Sequence, residues 1–417
     1  MVEAIEWARA VVLSSREAHP GLQELTCRLD GGAEVLAIAY TELVGALSPG
    51  APVWLNTKAL TLGLGTGGAA FVIGPSLDPG TPGLEKAVQA ETEKGRPETG
   101  GHWCASNPPP APSAPETPKV GQAPDRPRED SGFLVKARYT PMQVATRGVD
   151  SPHSQYHDVL RRAESLERMP VVVADLHSCL PAICAAIRHD ALAAGQPQPR
   201  LAYVMTDGAA LPIAFSKTVA RLVKGGVLCA TITAGQAFGG DFEAVSVHSA
   251  LLAARHVAKA DITICVQGPG NLGTDTRWGF SGVAVGDSVN AISVLDGQPV
   301  GCLRVSAVDP RPRHRGLSHH SLTAYGRVAL ARADLAVPVF EGGLATLGHV
   351  VEAAAGRLAE RHSLHRVSLD GLMGALEQTP GLSTMGRTLE DDPAPFLAAA
   401  AAGRLAYRLG PAVGSAA

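Results

Sequence analysis

From about residue 151 of this 417-residue chain, aspartates and histidines fall in polar segments that follow apolar runs. The apolar run 171–174 ends at Asp175 and His177, and the run 202–205 ends near Asp207. Carboxylates and imidazoles are the side chains that most often transfer protons or bind metal ions in enzymes. Their types and positions therefore make six residues candidates for catalysis, namely Asp175, His177, Asp207, Asp241, His319 and His320.

Two of these candidates have the spacing of a metal site. Asp175 and His177 lie two residues apart at an extended strand end, where side chains two apart point to the same side. The alternative is that Asp175 caps the following helix and His177 makes a local hydrogen bond. His319 and His320 open a helix; either one is a natural general acid or base if it faces a crevice, and a surface or capping residue otherwise. Neither a metal nor a cofactor is specified by these residues.

Glycine-rich loops and arginines indicate anion binding. Gly268, Gly270 and Gly273 fit G-x-G-x-x-G, but residues 278–282 intervene before a helix can begin, and no acidic residue falls at the end of a second strand about 20 residues on. This disfavours a nicotinamide or flavin, whereas the loop could still turn amide groups to a phosphate or carboxylate. No P-loop motif occurs, and a second match, at 63–68, precedes a strand. We expect the ligand to contact Gln236, Gly239, Gly240, Gly268, Gly270, Gly273, Arg277 and Arg315.

The segment 311–315 holds the densest positive charge, with three arginines and His314. Guanidinium groups suit a carboxylate or phosphate better than a neutral ligand. The alternative interpretation is a solvated loop.

From about residue 151 the sequence alternates continuous apolar strands with amphipathic helices, which predicts a doubly wound, mainly parallel sheet covered on both faces. Helices are expected near 178–194, 211–224, 242–259, 283–295 and 318–330, with two more, 346–362 and 393–409, at the edge of the sheet. Ligands bind outside the carboxyl ends of such strands. The polar loops should therefore converge there.

Short strands and turns in residues 1–74 predict a small β-barrel-like domain. Residues 75–131 contain twelve prolines and little apolar periodicity, which is typical of a disordered insertion. Residues 132–150 would supply a strand that completes the barrel and a linker to the α/β domain, 151–417.

Composition limits the functional classes. The chain has 36 Lys+Arg and 39 Asp+Glu, a formal net charge of -3, which argues against nucleic acid or a membrane surface as partner. No run approaches the roughly 18 apolar residues of a membrane span. The start lacks the features of a signal peptide, and the seven cysteines contain no Cys-x-x-Cys, so a cytoplasmic protein is expected. A homo-oligomer is compatible with this sequence.

Several motifs resemble a bacterial family catalogued as domain of unknown function 3866. They are LNT at 55–57, LGLGTGG at 62–68, RYTP at 138–141, GQAFGGDFEAV at 235–245, TRWGFSG at 276–282 and HRGLSHH at 314–320. The resemblance spans nearly the whole chain except 75–131, and it implies an architecture and a candidate surface rather than a reaction.

Two functions follow from these observations. The first is an enzyme that acts on a small anionic metabolite, with Arg277 and Arg315 holding the anion and with the aspartates and histidines supplying acid–base chemistry or metal ligation. The second is a non-catalytic metabolite sensor or assembly protein. The density of ionisable residues at the strand ends favours the enzyme.

Overall fold

The computed structural model describes residues 7–57, 69–76, 133–136 and 144–410. Within these ranges the chain divides into two compact units, the first comprising 7–57, 69–76, 133–135 and 144–146, and the second comprising 136 and 147–410. The predicted insertion lies outside the described residues apart from 75 and 76, and the glycine loop 63–68 and the motif 138–141 lie outside them as well.

The first unit contains the predicted barrel, which is closed by five strands in the order β1-β2-β3-β5-β4. The strands are β1 Trp7–His19, β2 Leu22–Leu29, β3 Glu34–Tyr40, β4 Pro52–Asn56 and β5 Ala69–Pro75, with a short helix α1 Thr41–Val44. Only the β3–β5 pair is parallel. Alternate residues point inward, so Val53 and Leu55 of β4 are fully buried in the barrel core.

The strand expected to complete the barrel pairs elsewhere. Strand β6 (Phe133–Lys136) forms a two-stranded sheet with β7 (Val144–Arg147), because β5 already hydrogen-bonds to both β3 and β4 and leaves the barrel no free edge. The ammonium of Lys136 belongs to the second unit, where it pairs with Glu243 at 3.1 Å and donates to the carbonyls of Ala237 and Ala244.

The second unit is built on an eight-stranded parallel sheet, as the alternating pattern predicts. The order across the sheet is β11-β10-β9-β12-β8-β13-β16-β17. The strands are β8 Pro170–Ala174, β9 Leu201–Thr206, β10 Leu228–Thr233, β11 Phe242–Glu243, β12 Ile262–Gln267, β13 Gln298–Cys302, β16 Asp334–Val339 and β17 Ser363–Ser368. Two short hairpins add β14 Val305–Ser306 with β15 Gly316–Leu317 and β18 Ser383–Thr384 with β19 Arg387–Thr388.

Helices connect these strands. They are α2 His157–Arg162, α3 Leu180–Ala193, α4 Lys217–Lys224, α5 Val247–His256, α6 Val285–Val294, α7 His319–Thr323, α8 Ala345–Ala355, α9 Leu372–Glu377 and α10 Ala394–Leu409. The chain moves one way across the sheet through α3 and the other way through α5 and α6, so the right-handed crossover rule puts these helices on opposite faces.

Helix α10 lies at a different place from the one expected. The sequence predicts it at the edge of the sheet, but it packs on α3 and covers β8, β13 and β16 near the middle. Its run of alanines is buried, and small side chains allow this close approach to α3 and the sheet. No helix of the described residues is long and apolar enough to cross a membrane.

Candidate active site

The candidate site lies where the direction of the chain across the sheet reverses. From β8 the chain passes over β12 to β9 and β10, while β13, β16 and β17 extend the sheet on the other side of β8. Such switch points open a crevice at the carboxyl ends of the strands. The loops that follow β8, β12 and β13 meet there, although β12 and β13 come about 90 residues or more after β8 along the chain.

A cavity of about 150 Å³ occupies this crevice. Its charged lining includes three arginines and one aspartate, Arg304, Arg311, Arg313 and Asp275. The lining also includes Asn271, Gly273 and a group of three histidines, His314, His319 and His320. Ligand pockets for drug-sized molecules measure about 300–1,000 Å³, so this cavity fits a small molecule or one end of a larger one.

Asp175 lies behind the cavity wall, in contact with two residues that line the cavity, Arg304 and His320. It is buried directly after β8, and its Oδ2 lies 3.1 Å from both Arg304 Nη1 and His320 Nδ1. Burial alone would raise the pKa of this carboxyl, but the Arg304 charge and the contact with His320 hold the pKa below its usual range. Asp175 is therefore ionised at neutral pH.

The ionised Asp175 determines which nitrogen of His320 carries the hydrogen. A carboxylate only accepts hydrogen bonds, so the tautomer of His320 with its hydrogen on Nδ1 donates to Asp175 and carries its lone pair on Nε2. Arg304 Nη1 donates to the same carboxylate oxygen and comes within 2.9 Å of Nδ1 as a result. Phe280 stacks on the His320 ring with centroids 3.7 Å apart and planes 9° apart, which fixes the orientation of the ring.

The other two histidines stand next to His320. The ring centroids of His314 and His319 lie 4.8 and 4.5 Å from that of His320. Burial, followed by the charges of Arg304 and Arg311, lowers the pKa of His314 to about 3; burial, followed by His320 and Arg313, lowers that of His319 to about 4. Both rings are therefore neutral at pH 7.

Two buried polar atoms of the cavity wall have no hydrogen-bond partner among the described residues. They are His319 Nε2 and Asn271 Nδ2. Asn271 uses its oxygen to accept from Ser281 Oγ at 2.8 Å and from the Gly282 amide at 3.3 Å, which assigns the NH₂ group to the other side. Native proteins leave few buried polar atoms unsatisfied, so both atoms indicate a ligand-binding surface.

The cavity is nearly balanced in charge. Arg304 pairs with Asp175, Arg311 with Asp309 at 2.9 Å and Arg313 with Asp275 at 2.6 Å. The first two carboxylates are buried, whereas the Asp275 side chain is 72% exposed. An incoming anion can therefore replace Asp275 more easily than the other two, and Arg313 becomes the accessible cation.

The structure separates His177 from Asp175. Strand β8 ends at Ala174 and a 3-10 turn begins at His177, so the strand alternation on which the pairing depended has already stopped. His177 Nε2 lies 2.7 Å from Ser216 Oγ, and Nδ1 lies 3.1 Å from Tyr203 Oη. Burial lowers its pKa to about 4. Its ring joins the loops after β8 and β9 rather than lining the cavity.

Asp207 and Asp241 hydrogen-bond to loops. Asp207 accepts from the Gln236 amide at 2.8 Å and supports the turn that contains Gly235. Asp241 accepts from the amide and hydroxyl of Thr231, at 2.8 and 2.9 Å. Neither carboxylate lines the cavity.

Of the glycines predicted to contact a ligand, one lines the cavity and the others have structural roles. Gly273 lines the cavity, whereas the amides of Gly239 and Gly240 donate to Glu243 and Thr233. A Cβ on Gly268 would lie 2.4 Å from the Ala210 carbonyl oxygen, so this glycine permits loop packing. Gly270 has φ +95, a turn conformation that favours glycine.

The two predicted arginines do not line the cavity either. Arg277 is exposed on the cavity loop, and Arg315 donates to the carbonyl of Asp309. The arginines that line the cavity are Arg304, Arg311 and Arg313.

Sequence reasoning misses several residues of the cavity. Arg304 directly follows residues 300–303, which carry no polar side chain, and Val305 comes next. A single cation within an apolar segment is rarely buried without a partner, and this is the signal that could have identified Arg304. His314 stands out in the sequence only as part of a positive segment, and Asn271 only as part of a glycine loop. No spacing rule connects these three residues.

One protein-family model matches most of this chain. The family model described as Protein of unknown function (DUF3866) matches residues 36–403. The chain belongs to this family. No curated protein and no solved structure matches the chain. The DUF3866 match begins within β3 of the barrel and ends within α10 of the α/β unit.

Proposed function

We propose that this DUF3866 protein is an enzyme that acts on a small anionic molecule in the cavity. The observation that carries the proposal is the buried Asp175–His320 pair, which leaves the His320 Nε2 lone pair available beside His319 and Arg313. A carboxylate behind an imidazole orients the ring and increases its basicity, and this is an arrangement of reactive sites. A protein that only binds an anion needs no such pair.

The cations and amide of the cavity support an anionic ligand. Arg313 and Arg311 line it together with Asn271, whose Nδ2 is a buried donor without a partner among the described residues. A planar guanidinium binds carboxylate or phosphate oxygens in pairs. The ligand would replace Asp275 on Arg313.

One observation favours the alternative function, a non-catalytic sensor. Asp207 and Asp241 hydrogen-bond to main-chain amides and are therefore not available to a ligand. That leaves one predicted catalytic aspartate, Asp175, at the cavity. The enzyme remains the better supported function because Asp175 contacts a histidine of the cavity instead of a loop amide.

The test makes no assumption about which anion is the substrate. Wild-type protein and His319→Ala are incubated with a small-molecule extract of cells, and mass spectrometry follows the anionic metabolites. We expect an anion to be consumed by the wild type and not by His319→Ala. For that compound, Arg313→Gln should weaken binding by about 10- to 100-fold, since a hydrogen bond to a charged group contributes about 1.5–3 kcal/mol.

Arg277→Gln is the matched control, because Arg277 lies on the same loop as Asp275 but is exposed and outside the cavity. It should behave as the wild type. An anion that stays bound at one equivalent per chain and is never consumed would establish the sensor instead.

A further inference from the structure

We propose that His314, His319 and His320 bind one divalent transition-metal ion, Zn²⁺ being the best fit, in the wall of the cavity. Each ring offers one nitrogen, and the three nitrogens lie within 4.8 Å of one another. Nitrogens bound to one tetrahedral zinc ion at about 2.0–2.1 Å lie about 3.4 Å apart, so side-chain rotations that move the nitrogens closer by about 1–1.5 Å bring the three atoms into ligating positions.

The hydrogen bonds leave the correct nitrogens for a metal. His320 Nδ1 donates to Asp175, which is the carboxylate–histidine pattern that orients metal ligands. His314 Nδ1 lies 2.7 Å from Ser318 Oγ, which can accept its hydrogen and leave the His314 Nε2 lone pair available. His319 Nε2 is buried without a hydrogen-bond partner in the described part of the chain. We therefore assign the Nε2 lone pairs of the three rings as the proposed ligands.

The local sequence explains how three histidines meet. Ser318 caps α7 by accepting from the His320 amide at 3.2 Å, and this places His319 and His320 on the first turn. The short turn Pro312–His314 and the strand β15 bring His314 back over that turn, with its ring centroid 5.1 Å from that of His319. The three residues thus come from a single continuous segment, HRGLSHH.

The neighbouring arginines do not prevent cation binding. Arg304, Arg311 and Arg313 each pair with one aspartate, so the charges of these three pairs cancel. Arg304 lies on the Nδ1 side of His320, whereas the proposed ligand atom is Nε2. The electrostatic potential at the three nitrogens is therefore less positive than the three neighbouring arginines alone would make it.

Three histidine ligands leave a fourth position for water or substrate, as in catalytic zinc sites. A metal ion here would polarise an anionic substrate or lower the pKa of a bound water. The metal assignment nevertheless stands on the histidines alone and does not require the proposed substrate.

The experiment measures binding of the metal itself. Full-length protein is stripped with a chelator, dialysed and titrated with Zn²⁺ by calorimetry, and with Co²⁺ by visible absorption. We expect one equivalent of Zn²⁺ per chain and the intense visible bands of four- or five-coordinate Co²⁺. Asp175→Asn removes a carboxylate behind a ligand and should reduce the Zn²⁺ affinity by about 10- to 100-fold. His319→Ala removes a ligand itself and should reduce the Zn²⁺ affinity by more than that.

His349→Gln is the control for nonspecific binding, because His349 is exposed on α8. It should bind the metal as the wild type does. His319 makes no hydrogen bond through Nε2, so His319→Ala is expected to fold, and its thermal unfolding is compared with that of His349→Gln.

Equal Zn²⁺ affinity in the wild type and His319→Ala, or no stoichiometric binding, overturns the inference. The two proposals can fail separately. Metal binding without consumption of any anion would retain this site and remove the enzyme, whereas consumption of an anion by a protein that shows no stoichiometric Zn²⁺ binding would retain the enzyme and remove this site.

Discussion

Arg404 shows at the scale of single residues how this fold accommodates a buried charge. Its guanidinium donates twice to Asp190 of α3, at 2.8 Å each, and to the carbonyls of Ser368 and Asp370. Burial raises the pKa of Asp190, but the hydrogen bonds from Arg404 and His189 more than compensate and leave the pKa below its usual value. The pair therefore joins α10 to α3 in ionised form.

Replacing Arg404 by leucine should reduce the free energy of unfolding by about 3–5 kcal/mol, because Asp190 would keep a buried charge without its partner. Urea denaturation at pH 7 measures this loss. Arg408→Leu is the matched control: Arg408 is on the same helix but exposed, and its loss should cost no more than about 0.5 kcal/mol. Equal losses in both variants would contradict the role of the ion pair.

The same pair predicts a pH dependence. The folded-state pKa of Asp190 is below the unfolded value of about 3.9, so its contribution is complete at neutral pH and is lost as the pH falls below about 4. In Arg404→Leu the contact with His189 remains, but the hydrogen bonds and charge of Arg404 no longer offset burial, so the pKa of Asp190 is higher than in the wild type. The stability difference between wild type and variant should therefore shrink between pH 7 and pH 3, as measured by urea denaturation across that range. A constant difference would exclude this linkage.

Helix α10 illustrates at the scale of elements how close packing depends on one glycine. The helix packs on α3, and a Cβ at Gly403 would lie 2.4 Å from the carbonyl oxygen of Ile183. The contact atom belongs to the backbone, so it cannot rotate away as a side chain can. Helix propensity alone would favour alanine here by about 1 kcal/mol.

Gly403→Ala should therefore destabilise the protein by about 1–3 kcal/mol in spite of its better propensity, because overpacking dominates. Gly374→Ala is the control: Gly374 lies inside α9, is exposed and has open space around its Cβ position. That variant should gain about 0.5–1 kcal/mol. Thermal unfolding of both variants measures the two signs, and stabilisation by both would disprove the close contact.

At the level of the molecule, the described residues form two separate hydrophobic cores. One lies inside the barrel and includes Leu55; the other surrounds the parallel sheet and includes Leu201. Both side chains are almost completely buried, at 0% and 1% exposure. Units with their own cores can unfold as separate cooperative transitions.

Differential scanning calorimetry should accordingly resolve two transitions. Leu55→Ala and Leu201→Ala each remove about 2–5 kcal/mol from their own unit. We expect the first variant to lower the midpoint of one transition and the second variant to lower that of the other. A single transition lowered equally by both substitutions would show that the two cores unfold together.

Local patterns in the sequence were enough to predict the barrel, the parallel sheet and the edge of the sheet where the polar loops lie. Alternation in strands, continuous apolar runs and Gly and Pro at turns are local properties, so they can be recognised without knowing which elements are neighbours. The same local signals identified Asp175, His319 and His320, which line or adjoin the cavity.

Which of the candidate site residues are in contact depends on the tertiary structure. Arg304 reaches Asp175 because β13 lies beside β8, although 129 positions separate the two residues, and local patterns carry no information about such pairing. The structure also directed Asp207 and Asp241 to main-chain amides, since the direction of a side chain past a strand end depends on the turn that follows. The hydrophobic pattern ends at the last residue of each strand, so it carries no information about where the polar side chains of the following loop point.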